Sequence, residues 1–247
     1  MVPIILQSRL GSTRLKHKMV LPFYSGDSLF AVIVKRLLTE FPNSEVILAT
    51  TENPDDDILA ELGLDLGITV FRGSENNVLS RFIKAADNIG AKALVRICAD
   101  NPFILPEFVR VIQKGIEEGD TDYLSYSFPD NTPVIRSHVG LFGEAVKLSA
   151  LKKVLSLSDD SFYKEHVTNY IYEHSDQFKC KFLDLPEVLK SRQDIRLTID
   201  TMVDFETIKA LYSSVNGSVS VDEIVNSIDA NPGYKSQMAN QIRLNSK

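Results

Sequence analysis

Cysteine is scarce in this 247-residue chain, and what is present cannot form a disulfide framework. The two cysteines, Cys98 and Cys180, lie far apart in the sequence, and no Cys/His spacing typical of a metal site accompanies them. Each lies in an apolar or mixed stretch, so we expect two buried, reduced thiols in a reducing compartment.

Long apolar runs and a basic excess are also missing. No stretch approaches the roughly 18 uncharged apolar residues that cross a membrane, and Met1-Val2-Pro3 leads directly into a predicted strand, so we expect no signal peptide. These absences predict a cytoplasmic protein with no membrane partner. The net charge of -6 argues against a nucleic-acid surface, which usually carries a basic excess.

Apolar runs alternate with amphipathic patterns through the first half of the chain. The alternation predicts βαβ units and an α/β fold, in which helices flank a mostly parallel, Rossmann-like central sheet. The predicted strands cover residues 2–7, 45–50, 68–71 and 93–97, and the predicted helices cover 28–41, a segment beginning at 53, 77–88 and 106–118.

The second half is irregular. We expect its strands to extend the first sheet, which gives a single domain over residues 1–235. The polar segment 236–247 that follows is predicted as a C-terminal tail, either frayed or a late helix. The predicted strands cover 122–127, 138–142, 178–183 and 194–198, and the predicted helices cover 149–157, 161–173, 202–213 and 221–229.

A basic loop follows the first predicted strand. It contains Arg9, Arg14 and Lys18 around a Gly-Ser-Thr turn. Open α/β sheets bind nucleotides at such a loop, and backbone N–H groups beside guanidinium and ammonium groups suit a polyphosphate. The loop therefore predicts an anion site in an otherwise acidic protein.

Two carboxylates fall just after predicted strands, Asp100 after 93–97 and Asp200 after 194–198. Carboxylates repel a polyphosphate unless a divalent cation lies between them, and Mg²⁺ is bound by one or two carboxylates together with phosphate oxygens. The alternative is that each caps the helix that follows it. Periodicity does not separate the two interpretations.

The basic loop over residues 9–18 has the sequence R-L-G-S-T-R-L-K-H-K. It resembles the R-x-x-S-T-R-L-P-x-K signature of cytidylyltransferases that activate acidic sugars. These enzymes include CMP-Kdo synthetases, acylneuraminate cytidylyltransferases and the spore-coat polysaccharide biosynthesis protein F family. Lys16 replaces the signature proline. Segment 138–143 is more similar to CMP-Kdo synthetases than to the spore-coat family. Further similar motifs, in the same order, are A-T-T at 49–51, V-F-R-G-S-E-N-N-V-L-S-R-F at 70–82, R-I-C-A-D-N-P at 96–102, E-H-V-T-N-Y-I at 165–171 and R-L-T-I-D-T at 196–201.

This resemblance implies a nucleotide-diphospho-sugar transferase-like fold and a Mg²⁺-dependent transfer of CMP from CTP to an acidic sugar, Kdo-like or a nonulosonic acid, for surface polysaccharide or lipopolysaccharide synthesis. It also implies a homodimer. One alternative is a nucleotidyltransferase acting on a sugar phosphate or another acid. A second alternative is a glycosyltransferase-like module that only binds a nucleotide sugar.

The resemblance also implies site residues. His138 and His166 have a structural interpretation as well, because lone histidines are often structural. The alternative interpretation of Glu165 is an ordinary helix-surface carboxylate. The implied groups are catalytic Arg14, Lys18, Asp100 and Asp200; nucleotide-binding Arg9, Leu10, Gly11, Ser12, Thr13, Arg14, Lys18, Thr50, Ser74, Arg81 and Asp100; substrate-binding Arg136, His138, Glu165 and His166; and metal-binding Asp100 and Asp200.

Overall fold

The computed structural model describes residues 1–217 and 220–245. Strands and helices alternate in its first half as predicted, with one exception before the first helix. In chain order these elements are β1 (Ile4–Gln7), β2 (Pro22–Tyr24), β3 (Asp27–Ser28), α1 (Leu29–Leu37), β4 (Val46–Thr51), α2 (Asp57–Asp65), β5 (Thr69–Gly73), α3 (Val78–Asn88), β6 (Ala93–Cys98) and α4 (Pro106–Glu118). The exception is two short strands that were not predicted, β2 and β3, which pair with each other.

The described part of the second half contains three strands and six α-helices. They are β7 (Tyr123–Ser127), β8 (Glu144–Lys147), α5 (Leu148–Leu157), α6 (Ser161–Glu165), α7 (Asn169–Glu173), β9 (Cys180–Asp184), α8 (Met202–Ser214), α9 (Val221–Ala230) and α10 (Pro232–Leu244). Every helix in the described part of the chain is too short or too polar to cross a bilayer.

A seven-stranded sheet in the order β5-β4-β1-β6-β8-β7-β9 forms the centre of the molecule. The pairs β5–β4, β4–β1, β1–β6 and β7–β9 are parallel, whereas β8 is antiparallel to both of its neighbours. The predicted mostly parallel sheet is confirmed, and the second-half strands extend it as expected. Because the chain moves outward from β1 to β5 and then returns beside β1 as β6, the topological switch point lies between β1 and β6.

Helices bury both faces of this sheet. Alternate residues of β1 point to opposite sides, with Ile4 and Leu6 in one apolar core and Ile5 in the other. Residues of α1, α4 and α8 pack in the first core, and residues of α3 and α5 pack in the second. Burying one aliphatic side chain is worth about 1.5–3 kcal/mol, so this two-sided burial holds the strand ends in fixed positions.

Two predicted strands, 138–142 and 194–198, are wrong. Both segments lie outside the ladders, and single backbone hydrogen bonds join them to each other and to a neighbouring loop: Leu197 N–H donates to His138 O at 2.8 Å, and Leu105 N–H donates to Leu141 O at 3.0 Å. Gly140 has φ +65°, which is incompatible with a continuous strand over 138–142. The strand of this region is β8, which begins two residues after the predicted end.

The predicted helix 161–173 is interrupted between α6 and α7. The interruption brings Thr168 inward, where its hydroxyl donates to the buried Glu144 carboxylate at 2.9 Å. Arg96 and the hydroxyl of Tyr123 also donate to Glu144. A buried carboxylate needs such partners, and these contacts explain why the helix is not continuous here.

The C-terminal segment is helical rather than a frayed tail. Helix α10 crosses the predicted domain boundary at residue 235, and Met238 on this helix is buried in the first core. Asn231 caps the helix by accepting from the Gly233 N–H at 2.9 Å. Residues 246–247 of the predicted tail lie outside the described residues. The two cysteines are half-buried rather than buried, and no disulfide joins them.

The position of Gly140 allows a test of the loop geometry. A Cβ at residue 140 would lie 3.0 Å from Asn101 Oδ1 and 3.1 Å from the carbonyl carbon of Leu197. Gly90 has the same φ of +65° but nothing within 4 Å of a built Cβ. Gly90→Ala should cost about 1–2 kcal/mol for backbone conformation alone, and Gly140→Ala about 1–3 kcal/mol more for overpacking. Urea unfolding measures both, and equal losses would contradict the described packing.

Candidate functional site

A cleft of about 280 Å³ lies at the carboxyl ends of β1 and β6, at the topological switch point. We call it the cationic cleft, because four cationic side chains line it together with three carboxylates. The sequence-predicted residues that line it are Arg9, Ser12, Thr13, Arg14, Lys18, Arg81, Asp100, Glu165 and Asp200. The fold therefore brings together residues separated by as many as 191 positions in the sequence.

The buried carboxylate of Asp56 holds the loop that follows β1. The Leu10 N–H donates to Asp56 Oδ1 at 2.7 Å, and the Thr51 hydroxyl donates to Asp56 Oδ2. Ser12 N–H donates to Leu10 O at 2.8 Å, so the backbone N–H groups of Leu10 and Ser12 are already engaged within the protein. The sequence analysis did not find this role for Asp56.

Lys18 joins the loop to the far side of the cleft. Its ammonium donates to Ile199 O at 2.5 Å and lies 3.8 Å from Asp100 Oδ2. The Ile199 N–H donates in turn to Asp100 O at 2.9 Å, which places the segment leading to Asp200 beside the end of β6. The other oxygen of Asp100, Oδ1, is buried without a hydrogen-bond partner among the described residues.

Two arginines hold Asp200 from opposite sides. Arg14 donates to Oδ1 at 2.8 Å, and the buried Arg196 donates to Oδ2 at 3.0 Å. Arg196 also forms a two-point ion pair with Asp204, at 2.7 and 2.8 Å, and donates to His138 Nδ1 at 2.6 Å. Although burial disfavours the charged guanidinium, Asp204 and Asp200 raise the pKa of Arg196 above its ordinary value.

The capping interpretation fails for both candidate metal ligands. The cap of α8 is Thr201, whose hydroxyl accepts from the Asp204 N–H, while the Asp204 carboxylate accepts from the Thr201 N–H. Helix α4 begins after Leu105 with no side-chain cap. Neither Asp100 nor Asp200 is therefore used to cap a helix, and both line the cleft.

Arg81 lies on the wall of the cleft formed by α3. It is 1% exposed, and Nη1 donates to Ser74 O at 2.6 Å. Burial, and then the nearby positive charge of Arg9, lower the pKa of Arg81 to about 10. Arg9 lies between two carboxylates, 3.7 Å from Glu75 and 3.8 Å from Glu165. Both distances are long for ion pairs, which leaves the Arg9 guanidinium able to contact an anion.

The remaining predicted residues lie beside the cleft rather than on its wall. Leu10 is buried under the loop, Gly11 is exposed, and Thr50 is buried at the end of β4. The Ser74 hydroxyl accepts from the Asn77 N–H at the start of α3. Among the predicted substrate-binding residues, His138 contacts Arg196, His166 packs against Phe162 with ring centroids 4.6 Å apart, and Arg136 is exposed on the turn Val134–Arg136.

A second, smaller cavity of about 50 Å³ adjoins the cationic cleft and shares Cys98 and Asp100 with it. Its other walls come from segments 134–142 and 198. Asn101 Oδ1 and Thr198 Oγ1 belong to its lining residues and are buried with no hydrogen-bond partner among the described residues. The sequence analysis missed these residues, although both lie in motifs that carry the resemblance.

The donor set at the junction of the two cavities is compatible with a hard cation. Asp100 and Asp200 are oxygen donors, and Asp100 Oδ1 is buried without a partner. Within the described residues, no group of three or more His, Cys, Asp and Glu side chains forms a complete metal cage. Mg²⁺ needs fewer protein ligands than such a cage, because one or two carboxylates share the ion with water and phosphate oxygens.

The ion pair of Arg196 with Asp204 gives a pH-dependent test. Burial alone would raise the pKa of Asp204, but Arg196 and the N–H groups of Asp200 and Thr201 bring it below its ordinary value. The carboxylate therefore stabilises the fold above about pH 3.9, and this contribution is lost as the pH falls through the folded-state pKa. Asp204→Asn should cost about 3 kcal/mol at pH 7, and the gap to the wild type should narrow below pH 4.

Urea unfolding from pH 3 to pH 7 measures this gap. Asp87→Asn is the control, because it breaks only an exposed pair with Lys152 and should change stability little. A gap between wild type and Asp204→Asn that is independent of pH would show that the charge of Asp204 does not stabilise the fold.

Several known proteins are similar to this chain in sequence. The sequence matches a family model described as cytidylyltransferase over residues 3–229. It is 35% identical over 238 residues to the spore coat polysaccharide biosynthesis protein SpsF of Bacillus subtilis, an alignment that covers 92% of this chain and 94% of that protein.

Solved structures show the same architecture. A cytidylyltransferase from Leptospira borgpetersenii superposes with a TM-score of 0.80 at 29% identity, covering 97% of each chain. A CMP:2-keto-3-deoxy-manno-octonic acid synthetase solved in complex with CTP superposes with a TM-score of 0.62 at 15% identity, covering 86% of this chain and 98% of that one. The second likeness concerns the fold alone.

Proposed function

Because the chain belongs to the cytidylyltransferase family, we propose that it transfers CMP from CTP to an acidic sugar and releases pyrophosphate. The observation that carries this proposal is the cationic cleft, in which Arg9, Arg14, Lys18 and Arg81 face Asp100 and Asp200 at the switch point of the sheet. Four cations suit a triphosphate, and the carboxylates suit the cation that accompanies it.

The chain's own side chains supply positioning and charge in this proposal. Arg14 and Lys18 bind the phosphates that leave as pyrophosphate, and their charges stabilise the negative charge that develops on the leaving group. Arg9 and Arg81 bind the nucleotide from the α3 side of the cleft. Asp100 and Asp200 would hold Mg²⁺, which supplies Lewis-acid polarisation of the reacting phosphate when it is bound.

The second cavity is the proposed position of the acceptor. It shares Asp100 with the cleft, so an acceptor group placed there lies beside the phosphates. The acidic character of the acceptor rests on the resemblance. Arg136 lies between Ile135 and Ser137, which line the second cavity, and its positive charge would suit an acidic group there. The relative from B. subtilis is named for spore coat polysaccharide biosynthesis, which supports a polysaccharide precursor as product.

The proposal includes a cytoplasmic homodimer. The cytoplasmic location rests on the interpretation of Cys98 and Cys180 as reduced thiols. Exposed Leu157 at the end of α5 and exposed Phe162 at the start of α6 support a partner surface in the second half of the chain.

A pyrophosphate-release assay tests the reaction. The protein is incubated with Mg²⁺, one of the four nucleoside triphosphates and a panel of acidic sugars, with sugar phosphates and neutral sugars as controls. We expect release only with CTP and an acidic sugar. Release with a sugar phosphate would instead support the alternative nucleotidyltransferase. Binding of CMP-sugars without consumption of any triphosphate would support a binding module.

Substitution of the two carboxylates tests the metal assignment. Asp100→Asn and Asp200→Asn should each lower kcat by about 10²–10³-fold, because a lost metal contact removes several kcal/mol of transition-state stabilisation. KM for CTP should rise less, since removing a negative charge also reduces repulsion of the triphosphate. Asp57→Asn, which alters only an exposed pair with Arg72, is the matched control. Pyrophosphate release by Asp200→Asn at the wild-type rate would refute the assignment.

A further inference from the structure

The end of helix α10 reaches the loop that follows β1. Asn245 Oδ1 accepts from Arg14 Nη1 at 3.3 Å, across 231 positions of sequence. The Asn245 amide nitrogen donates to the Gln241 backbone O at 3.0 Å and to Gln241 Oε1 at 3.2 Å. Asn245 is thus oriented by its own helix, with its oxygen directed at Arg14.

Helix α10 is itself fixed next to the cleft. The Thr201 hydroxyl lies 3.2 Å from Gln241 Oε1, and Gln241 is 9% exposed. Thr201 caps α8 and contacts Asp204. Asp204 pairs with Arg196, and Arg196 binds Asp200. A closed ring of side-chain contacts therefore runs through seven residues: Arg14, Asp200, Arg196, Asp204, Thr201, Gln241 and Asn245.

Arg14 has two anchors of different kinds in this ring. Asp200 is charged and holds Nη2, whereas Asn245 is neutral and holds Nη1. An exposed arginine samples many rotamers, and fixing one in a productive geometry costs conformational entropy. A carboxylate anchor also neutralises the positive charge of the guanidinium, which is the charge that attracts a phosphate. An amide anchor fixes the same guanidinium while leaving its charge available.

We propose that Asn245, oriented by Gln241, is a positioning residue for Arg14 that holds its guanidinium ready for the pyrophosphate portion of the nucleotide. This inference rests on the proposed function, because Arg14 binds those phosphates only if the protein uses a nucleoside triphosphate. It also assigns a role to the C-terminal helix, which contributes no lining residue to either cavity.

The test measures binding of inorganic pyrophosphate with Mg²⁺ to the full chain by titration calorimetry, with CMP as the second ligand. Asn245→Ala should weaken pyrophosphate binding about fivefold, the range expected for one lost hydrogen bond, and leave CMP binding unchanged. Asn245→Asp should weaken pyrophosphate binding further, because a second carboxylate competes for Arg14. Asn240→Ala is the matched control, since Asn240 lies exposed on the same helix and contacts only Arg243 among the described residues.

A double-mutant cycle separates positioning from a structural effect. In an Arg14→Ala background, Asn245→Ala should cause no further loss of pyrophosphate affinity. An equal loss in that background, a matching loss of CMP affinity, or no difference between Asn245→Ala and Asn240→Ala overturns the inference. If the wild-type protein binds neither CTP nor pyrophosphate, the proposed function fails and the inference fails with it.

Discussion

The buried ion pair between Arg196 and Asp204 is the interaction on which the site depends. Arg196 is 1% exposed and would be costly to bury without Asp204, which it contacts at two points. The same two side chains position Asp200, close the cap of α8 and fix the ring of His138. A single charge pair in the core thereby determines where one carboxylate of the cleft lies and links it to the C-terminal helix.

The first half of the fold follows from local sequence, because its strands and helices have regular apolar patterns and two of its helices begin at a side-chain cap. Helix α3, for example, begins after Asn77, whose side chain accepts from the Ser80 N–H. Two segments of the second half, 138–142 and 194–198, do not follow from local sequence, because they have an apolar, strand-like composition. They are excluded from the sheet by a positive φ at Gly140 and by contacts with distant loops, which periodicity cannot reveal.

The cationic cleft was predictable because its charged residues lie in the short motifs that carry the family resemblance. Arg14, Lys18, Asp100 and Asp200 all face it, as the motifs indicated. Residues outside such motifs were not predictable, because their roles depend on contacts between distant segments. Asp56, for example, lies outside these motifs, yet it holds the loop after β1. The sequence of segment 236–247 shows only that the segment is polar, so no motif in it predicts a contact with Arg14.

Because of the reversed direction of β8, the walls of the two cavities come largely from different segments of the chain. Because β8 is antiparallel to β6, the chain enters it from the edge where Asp100 lies, and the segment before the strand supplies one wall of the second cavity. Much of the cationic cleft comes instead from loops that follow β1 and β6. Exchange or insertion within 134–142 can therefore reshape the second cavity while the loops that line the cationic cleft keep their sequence.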